Sequence, residues 1–318
     1  MSYQKIIDKI KEQIQQHIYL GASLALYDGK WQEFYLGEAT SHHKTKAGLV
    51  YDLASVSKVV GVGTLIIFLV QEGKLNLDAR FQSYYPDFQD PSVTVRQLLT
   101  HTSGIDPFIP NRNHLNDSEL KRAIHQVTVK ADKSFHYTDI NFILLGFLLE
   151  KIYGQSLNHI LQEHVFDLFG MVKTSFGPVR NAVPTAKNIP IGTVHDPKAQ
   201  ILGVHTGSAG LFSTLKDLEV FTSHYLKDDF AAVLTQDYAF SDKKRSLAWD
   251  LQGDWLLHTG YTGTFVLINI QEQRAAVFLS NRTYEKDERA QWILDRDELI
   301  GVIKQALLES YSSKISSN

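Results

Sequence analysis

The first twenty residues arrange apolar and polar side chains with the period of an α-helix. Lysines and glutamines separate the apolar positions, and no continuous apolar stretch or cleavage signal interrupts them. The apolar positions are Ile6, Ile7, Ile10, Ile14 and Ile18. This spacing predicts an amphipathic helix.

The next stretch, GASLALYDGKWQEFYLGEA, has the pattern of a β-hairpin. Its two strand-like runs meet at Asp28-Gly29, a pair that favours a tight turn. The helical period then returns near Ser55 and persists through the middle of the chain. Further helices are predicted in TVRQLLTH, YTDINFILLGFLLEKIYG, SLNHILQEHVFDLFG and TLKDLEVFTSHYL.

Two local signals mark the ends of these central helices. Gly154 follows the second of them in a C-cap position, and Thr214 with Asp217 forms a capping-box pattern at the start of the last. After residue 250 the pattern changes to three strand-like runs, DWLLHTG, GTFVLINI and RAAVFLSNR, and a helix is predicted from about Arg289 to Ser310. Strands at both ends and helices between them predict one sheet built from the two ends of the chain.

Composition narrows the classes of function. The chain has 318 residues, of which 43% are hydrophobic, so it can bury a large core. Its 32 basic and 35 acidic residues leave no positive field for nucleic acid. Cysteine is absent, so thiolate chemistry and disulfides are excluded. The longest apolar run, 59–70, has 12 residues, short of the roughly 20 that span a bilayer. We therefore expect a cytoplasmic protein without a membrane span; a trimmed exported form would have the same sequence.

A serine followed three positions later by lysine is the first chemical signal. Ser55 and Lys58 form this pair at the start of the most apolar helix. The same spacing also begins at Ser2, Ser41, Ser118, Ser213 and Ser241. Of these serines, only Ser55 begins a helix that is apolar enough to require burial. Amides at a helix start lack partners and attract negative charge, so the Ser55 amide suits an oxyanion.

Lys58 is expected one turn after Ser55 and on the same face. Burial among apolar neighbours should lower its pKa below about 10.4 and leave a neutral amine that can take the serine proton. A helix-capping serine with a lysine that extends towards solvent explains the same spacing.

Two further stretches carry side chains of catalytic types. In FHYTDINF, Tyr137 precedes a helix, and a phenol near a cationic lysine can pass a proton to a leaving group; the alternative is a packing tyrosine with Asp139 as a helix cap. His258-Thr259-Gly260 ends a strand, where glycine would let a substrate approach closely. A second His-Thr-Gly, at 205–207, leads into SAGLFST and is predicted to be a loop.

Together these motifs resemble those of the penicillin-recognising serine hydrolases. Ser-x-x-Lys, a Tyr-x-Asn-like triplet and a Lys-Thr-Gly-like triplet occur in that family's order. The stretches LNLDARFQSYYPDF, VTVRQLLTHTSGI, INFILLGFLLEKIYG and SAGLFST are similar to those of its class C β-lactamase branch, which includes D-amino-acid peptidases and many esterases. The resemblance extends from about residue 20 to 282.

The resemblance implies a role for each motif residue. Ser55 would be the acylated nucleophile, Lys58 the base and Tyr137 the proton shuttle. The amides of Ser55 and Tyr261 would form the oxyanion hole. The implied fold is α/β (α+β), with an antiparallel sheet of about five strands flanked by helices. Residues 1–90 and 190–318 would form this sheet region and residues 91–189 a mostly helical region, with the active site between them.

Two departures from the family pattern bear on the substrate. Asp139 replaces the amide of Tyr-x-Asn, and His258 replaces the lysine of Lys-Thr-Gly. His258 titrates near neutrality, so a permanent charge that would meet a substrate carboxylate is lost. Both changes weaken the case for β-lactams and for peptides with a free carboxylate. Thr259 and Gly260 keep the implied substrate-binding positions.

The predicted function is therefore a serine hydrolase that acts on small esters or related acyl compounds through an acyl-enzyme. A β-lactamase or D-amino-acid peptidase is the alternative, and a non-catalytic acyl-binding or scaffold protein is the alternative from another class. We expect no metal and no organic cofactor, because the remaining histidines lack the paired spacing of metal ligands. Those considered are His42, His43, His101, His136 and His195.

Overall fold

The computed structural model describes residues 2–315 of the chain. The strands are β1 (Gly21–Asp28), β2 (Trp31–Thr40), β3 (His43–Lys44), β4 (Val50–Asp52), β5 (Ser175–Phe176), β6 (Leu211–Thr214), β7 (Asp250–Gln252), β8 (Trp255–Gly260), β9 (Thr264–Asn269) and β10 (Arg274–Ser280). The α-helices are α1 (Ser2–Gln15), α2 (Thr64–Gln71), α3 (Phe81–Tyr84), α4 (Val95–Thr100), α5 (Asp117–His125), α6 (Ile140–Tyr153), α7 (Leu157–Leu161), α8 (Asp167–Phe169), α9 (Pro197–Leu202), α10 (Leu215–Lys227) and α11 (Arg289–Ile315). Short 3₁₀ helices cover Ala54–Val56, Arg112–His114, Gly203–His205 and Asp229–Thr235, and π-helical turns cover Val59–Gly63 and Gln162–Phe166.

The main sheet is antiparallel and draws its strands from both ends of the chain. Its order is β3-β2-β1-β10-β9-β8-β7. The five longer strands agree with the predicted sheet, and the short strands β3 and β7 extend its two edges. β1, β9 and β10 are buried along their whole length, so both faces of the sheet centre are covered. The α+β fold class is confirmed, whereas the division into two regions at residues 90 and 190 stays a prediction.

The two terminal helices cover one face of this sheet. Ile6 and Ile10 of α1 are fully buried against Phe278 of β10 and Trp292 of α11. The side chain of Gln13 also donates to the Asp295 carbonyl oxygen across 2.7 Å. The amphipathic N-terminal helix is thus confirmed, although α1 ends at Gln15 and Ile18 lies beyond it.

The helical segment 54–71, the core helix, lies in the centre of the hydrophobic core. By length and apolar composition it is able to cross a membrane, but 78% of it is buried inside the protein. Core packing therefore accounts for its composition. Its π-helical turn includes Gly63, where a Cβ atom would lie 2.7 Å from the Lys58 carbonyl oxygen and 2.8 Å from Ala248 Cβ. The glycine thus allows close packing immediately after the predicted catalytic turn.

The predicted helix caps are found, with one difference. Gly154 ends α6 in the left-handed conformation, with φ of +67°. At α10, the Thr214 hydroxyl accepts from the Asp217 amide across 3.2 Å. The Asp217 carboxylate accepts instead from the Lys173 amide and the Thr174 hydroxyl. Asp217 thus joins α10 to the segment before β5, and the capping-box prediction is correct only for Thr214.

A small second sheet, β4-β6-β5, positions the segment that leads to Ser55. After β4, the Leu53 amide donates to the Leu211 carbonyl oxygen across 2.9 Å. The Leu211 amide in turn donates to the Ser57 hydroxyl across 3.2 Å. These bonds fasten the start of the core helix to β6 on both sides of Ser55.

Candidate active site

A cavity of about 850 Å³ opens where the core helix, the segment before α6, α9 and the end of β8 meet. Most of the sequence-predicted site residues line this cavity. They are Ser55, Tyr137, Asp139, His258, Thr259, Gly260 and Tyr261. The second His-Thr-Gly lies elsewhere, with Gly207 packed on the Phe142 carbonyl oxygen of α6. Residues 205–207 lie at the end of the 3₁₀ helix Gly203–His205 and just after it, so they are outside β8 as predicted.

Lys58 is fully buried beneath Ser55. Its ammonium nitrogen lies 2.9 Å from Ser55 Oγ, 2.8 Å from Asp139 Oδ1 and 2.9 Å from the Ser208 carbonyl oxygen. An ammonium group has three N–H donors. All three therefore have acceptors, and one of these acceptors is the predicted nucleophile.

The charge state of Lys58 differs from the sequence-based expectation. Burial disfavours the ammonium, but the carboxylate of Asp139 and the phenol of Tyr137 favour it, and the balance raises the pKa of Lys58 above its ordinary value. The expectation of a neutral lysine is wrong, because it considered the apolar neighbours and not the carboxylate 2.8 Å away.

Asp139 is held between two lysines. Its Oδ2 lies 2.9 Å from Lys198 Nζ, and Lys198 also contacts Asp196 Oδ2 at 3.1 Å. Burial would raise the pKa of the Asp139 carboxyl, but Lys58 and Lys198 outweigh burial and lower the pKa well below its usual range. Asp139 occupies the N-cap position of α6, but its side chain makes no capping hydrogen bond there. The alternative interpretation of Asp139 as a helix cap is therefore correct for its position and wrong for its side chain.

Lys198 is a site residue that sequence reasoning missed. It lies in the first turn of α9, whose N-cap is Asp196 with Pro197 next in sequence. The side chain of Lys198 is 10% exposed and lines the cavity. The Asp-Pro pair indicates a helix start, but only the fold shows that this helix points a lysine at Asp139.

Tyr137 covers Lys58 from the cavity side. The lysine nitrogen lies 5.1 Å from the centre of the tyrosine ring. The ring also packs on that of His101, with the two centres 4.3 Å apart. His101 is itself held by Asn141, whose side-chain nitrogen is 2.9 Å from His101 Nδ1. The order of Ser55, Lys58 and Tyr137 in the sequence thus corresponds to three side chains that meet in space.

Gly260 has a packing role that the sequence did not predict. A Cβ atom at this position would lie 2.1 Å from Thr264 Oγ1 and 2.6 Å from the Leu53 carbonyl oxygen. The missing side chain therefore makes room for the backbone that leads to Ser55, and the predicted close approach of a substrate stays a prediction. Thr264 Oγ1 donates to the Leu53 carbonyl oxygen across 3.0 Å, and Thr262 Oγ1 to that of Asp52 across 2.9 Å. These contacts fasten the turn after β8 to the segment that leads to Ser55.

Asp52 is the second residue that sequence reasoning missed. It is buried, and its two oxygens accept from the Ala54 amide at 2.8 Å and the His195 amide at 2.7 Å. Burial raises the pKa of Asp52 to about 6, although the two amides act to lower it. An aspartate two residues before a helical turn often accepts from the backbone, which is the local signal available in the sequence.

The family model described as Beta-lactamase matches residues 6–300. The chain belongs to the β-lactamase family. Among curated relatives, the "Putative D-alanyl-D-alanine carboxypeptidase" of Escherichia coli (strain K12) is 27% identical, over 76% of this chain and 71% of the relative. Its namesake in Salmonella agona (strain SL483) is 26% identical, over 74% and 70%.

Solved structures share the fold of this β-lactamase-family protein. A "Beta-Lactamase/D-Alanine Carboxypeptidase from Pseudomonas syringae" superposes with a TM-score of 0.76 at 18% identity, covering 96% of this chain and 98% of that one. "EstCE1, a hydrolase with promiscuous acyltransferase activity" gives 0.76 at 16% identity with the same coverage. "A class C beta-lactamase" gives 0.72 at 18% identity, covering 92% and 95%.

The charge of His258 differs from the sequence-based expectation. His258 is buried, and burial together with the positive charges of Lys58 and Arg245 holds its pKa well below the ordinary value. The expectation that His258 titrates near neutrality is wrong, because it used the ordinary pKa of histidine and not that of a buried ring near two cations. Next to it, Thr259 Oγ1 accepts from Arg296 at 3.4 Å. His258 therefore contributes a neutral ring to the cavity.

Tyr261 forms the outer rim of the same wall. Its ring packs on His195, with centres 5.2 Å apart, and Arg282 lies 4.7 Å from the ring centre. Its hydroxyl donates to Asp287 across 2.5 Å.

The charged side chains of the cavity are mostly basic. The acidic ones are Asp139, Asp196, Asp250 and Asp297. The basic ones are Arg112, Lys198, Lys243, Arg245, Arg282, Arg289 and Arg296. Histidine at position 258, in place of the family's lysine, therefore does not make the cavity acidic, because arginines from other elements line the cavity.

Proposed function

We propose that this protein is a serine hydrolase that cleaves small carboxylic esters or related acyl compounds through a covalent acyl-enzyme on Ser55. One observation carries the proposal. The fully buried Lys58 ammonium lies 2.9 Å from Ser55 Oγ, at the base of a cavity of about 850 Å³. A cavity of this size suits a small molecule.

The reaction begins from the neutral fraction of Lys58, which is small because Asp139 favours the ammonium. Neutral Lys58 takes the hydroxyl proton of Ser55 while Ser55 Oγ bonds to the acyl carbon of the ester. The amides of Ser55 and Tyr261 stabilise the carbonyl oxygen as it becomes negative. Tyr137 gives a proton to the departing alcohol oxygen and regains one from Lys58. Water then attacks the acyl-enzyme, which releases the acid and restores Ser55.

The surroundings of Asp139 support esters over amides. Both of its oxygens are bound by lysines, Oδ1 by Lys58 and Oδ2 by Lys198. These lysines keep Asp139 ionised, and an ionised carboxylate has no donor. Asp139 therefore cannot donate to the carbonyl of an amide-bearing acyl group. A simple ester does not need such a donor.

The basic lining of the cavity favours a second candidate function. Arg282, Arg289 and Arg296 line the cavity, and a guanidinium group binds carboxylates well. Arg282 and Arg296 already pair with Asp287 and Asp297. A β-lactamase or D-amino-acid peptidase activity is therefore the alternative, and the names of the curated relatives support it.

A two-step experiment tests the proposed function. The intact mass is measured after exposure to a fluorophosphonate, and the adduct is located by peptide mapping. The specificity constants are then compared for p-nitrophenyl acetate and butyrate and for a chromogenic cephalosporin. We expect one adduct, on Ser55, and a higher constant for the esters.

The control variant is Ser118→Ala, at another Ser-x-x-Lys spacing in an exposed helix. It should label like the wild type, whereas Ser55→Ala should not label. An adduct on a different serine would refute the nucleophile. Equal or faster cephalosporin turnover would favour the second candidate function.

A further inference from the structure

Asp52 is a buried carboxylate that the proposed hydrolysis does not use. Its side chain is 1% exposed overall, and both oxygens accept from backbone amides, those of Ala54 and His195. Within the part of the chain that the structure describes, no lysine, arginine or histidine forms an ion pair with it. Two short bonds to neutral donors therefore hold a buried charge in place.

The two amides belong to different segments of the site. Ala54 directly precedes Ser55 and has φ of +46°, a left-handed conformation that is unfavourable for a residue with a Cβ atom. The bond from the Ala54 amide to Asp52 helps to hold this conformation. The direction in which the Ser55 side chain leaves the backbone depends on it.

His195 lies at the start of the second segment. Asp196 and Lys198 follow it, and Lys198 pairs with Asp139 at 2.9 Å. Asp139 in turn pairs with Lys58, which donates to Ser55. The contacts thus form a closed ring that runs from Asp52 through α9 and the two lysines and back to the nucleophile.

A carboxylate is needed for both bonds at once. Each of its oxygens is an acceptor, whereas the side chain of asparagine has one acceptor and one donor. An asparagine at 52 would turn its donor towards a backbone N–H group. One of the two segments would then lose its attachment.

We propose that Asp52 is a positioning residue that holds Ser55 and the Lys198 segment in register with each other. The proposal rests on the proposed function, because it takes Ser55 as the nucleophile. Asp52 touches neither substrate nor reacting atoms. It acts through the Ala54 and His195 amides.

The test uses Asp52→Asn in the full chain. The rate constant of inactivation by a fluorophosphonate is measured at saturating reagent, together with kcat and KM for p-nitrophenyl butyrate. We expect the inactivation rate constant and kcat to fall at least tenfold per active protein molecule, with KM changed less than about threefold. A role in stability alone would lower the fraction of labelled protein and leave the rate constant per labelled molecule unchanged.

The matched control is Asp217→Asn. Asp217 is also buried, and it likewise accepts from a backbone amide, that of Lys173 at 2.7 Å, but it lies outside the cavity. This variant should lose thermal stability and keep the wild-type inactivation rate constant. A parallel loss of rate in both variants would overturn the positioning role.

A second substitution tests whether a lower inactivation rate arises from the strained conformation of Ala54 or from a general disruption of the fold. Ala54→Gly accepts a positive φ without the help of Asp52. In the Asp52→Asn background it should restore at least part of the lost inactivation rate. If Asp52→Asn labels at the wild-type rate, or if neither the single nor the double variant folds, the positioning proposal is overturned.

The inactivation assay also separates this proposal from the proposed function. Wild-type protein that labels on Ser55 but does not cleave esters would refute the ester hydrolase, and the labelling rates of the variants would still decide the role of Asp52. Wild-type protein that takes no label on Ser55 would overturn both.

Discussion

Lys58 is a buried cation with an acceptor for each of its three N–H groups. A general base must be neutral before it can take a proton. The pairing with Asp139 therefore keeps Lys58, the proposed base, in its protonated form. Only the small neutral fraction reacts at neutral pH, so the reactivity of Ser55 should increase with pH until Lys58 titrates.

Removal of the base and of the proton shuttle tests their roles separately. Lys58→Ala should lower kcat for p-nitrophenyl butyrate by at least about 10²-fold, and Tyr137→Phe by about 10- to 10³-fold, since acid–base groups contribute on the order of 10²–10⁴-fold. Circular dichroism checks that the fold is kept. A Lys58→Ala variant with more than about a tenth of wild-type kcat would place the base elsewhere.

Asp139→Asn should move the pH dependence to lower pH. The carboxylate is the main group that raises the pKa of Lys58 against burial, so its removal lets burial lower that pKa. The measurement is the fluorophosphonate inactivation rate constant from pH 6 to pH 10. The acid limb of the profile should shift towards neutrality relative to the wild type.

A control carboxylate in the same cavity is Asp297, which pairs with Arg296 at 2.7 Å and does not contact Lys58. Asp297→Asn should leave the acid limb of the pH profile at its wild-type position. If the limb also stays unchanged in Asp139→Asn, Lys58 is not the group that limits the rate.

At the scale of elements, the long strands and the central helices could be predicted from the sequence. β9 and β10 are buried on both faces and read as continuous apolar runs. The core helix is equally distinct, because its apolar residues continue into the Ser-x-x-Lys turn. Short strands such as β3, with two residues, carry too little pattern to be recognised.

The missed site residues depend on contacts between distant elements. Lys198 is 59 positions from Asp139 and Asp52 is 143 positions from His195. No local sequence pattern indicates that the residues of these pairs are in contact. The charge of Lys58 could not be predicted for the same reason, because its pKa is raised by a carboxylate at the distant start of α6 and not by its neighbours in sequence.

Gly260→Ala tests the junction of β8 with the nucleophile segment. The added methyl group would lie 2.6 Å from the Leu53 carbonyl oxygen and 2.1 Å from Thr264 Oγ1, so the backbone must shift. We expect a loss of roughly 1–3 kcal/mol in the free energy of unfolding and slower labelling of Ser55. Urea unfolding and the inactivation assay measure the two effects.

Gly301→Ala is the matched control for that substitution. Gly301 lies inside α11, and a Cβ atom there meets nothing within 4 Å. The variant should be as stable as the wild type or more stable by about 0.5–1 kcal/mol, because alanine favours a helix over glycine. Labelling of Ser55 should not change. An equal response of the two glycines would contradict the steric argument.

At the scale of the whole molecule, Asp52 links stability to pH. Burial raises its pKa in the folded protein from 3.8 to about 6, with Asp196 adding to the rise and the His195 and Ala54 amides opposing it. The folded state thus binds the proton more tightly than the unfolded chain. The contribution of Asp52 to stability falls as the pH rises through this window, by roughly 3 kcal/mol in total.

Asp52→Asn removes this titration. The free energy of unfolding of the variant, relative to the wild type, should therefore increase by about 2 kcal/mol between pH 4.5 and pH 8. Urea unfolding at the two pH values measures the difference, and an unchanged difference would contradict the raised pKa. An increase together with slower labelling would show that the ionised carboxylate lowers stability while it positions the nucleophile.

The pairing of β1 with β10 has a consequence for synthesis of the chain. Leu24 lies opposite Phe278, so the central strand of the sheet leaves the ribosome long before its neighbour. At roughly 5–20 residues per second the interval is on the order of ten seconds or more. During that interval one edge of β1 has no partner, and open strand edges promote aggregation. We therefore expect nascent chains that stop before residue 274 to require chaperones and to yield no partially active enzyme.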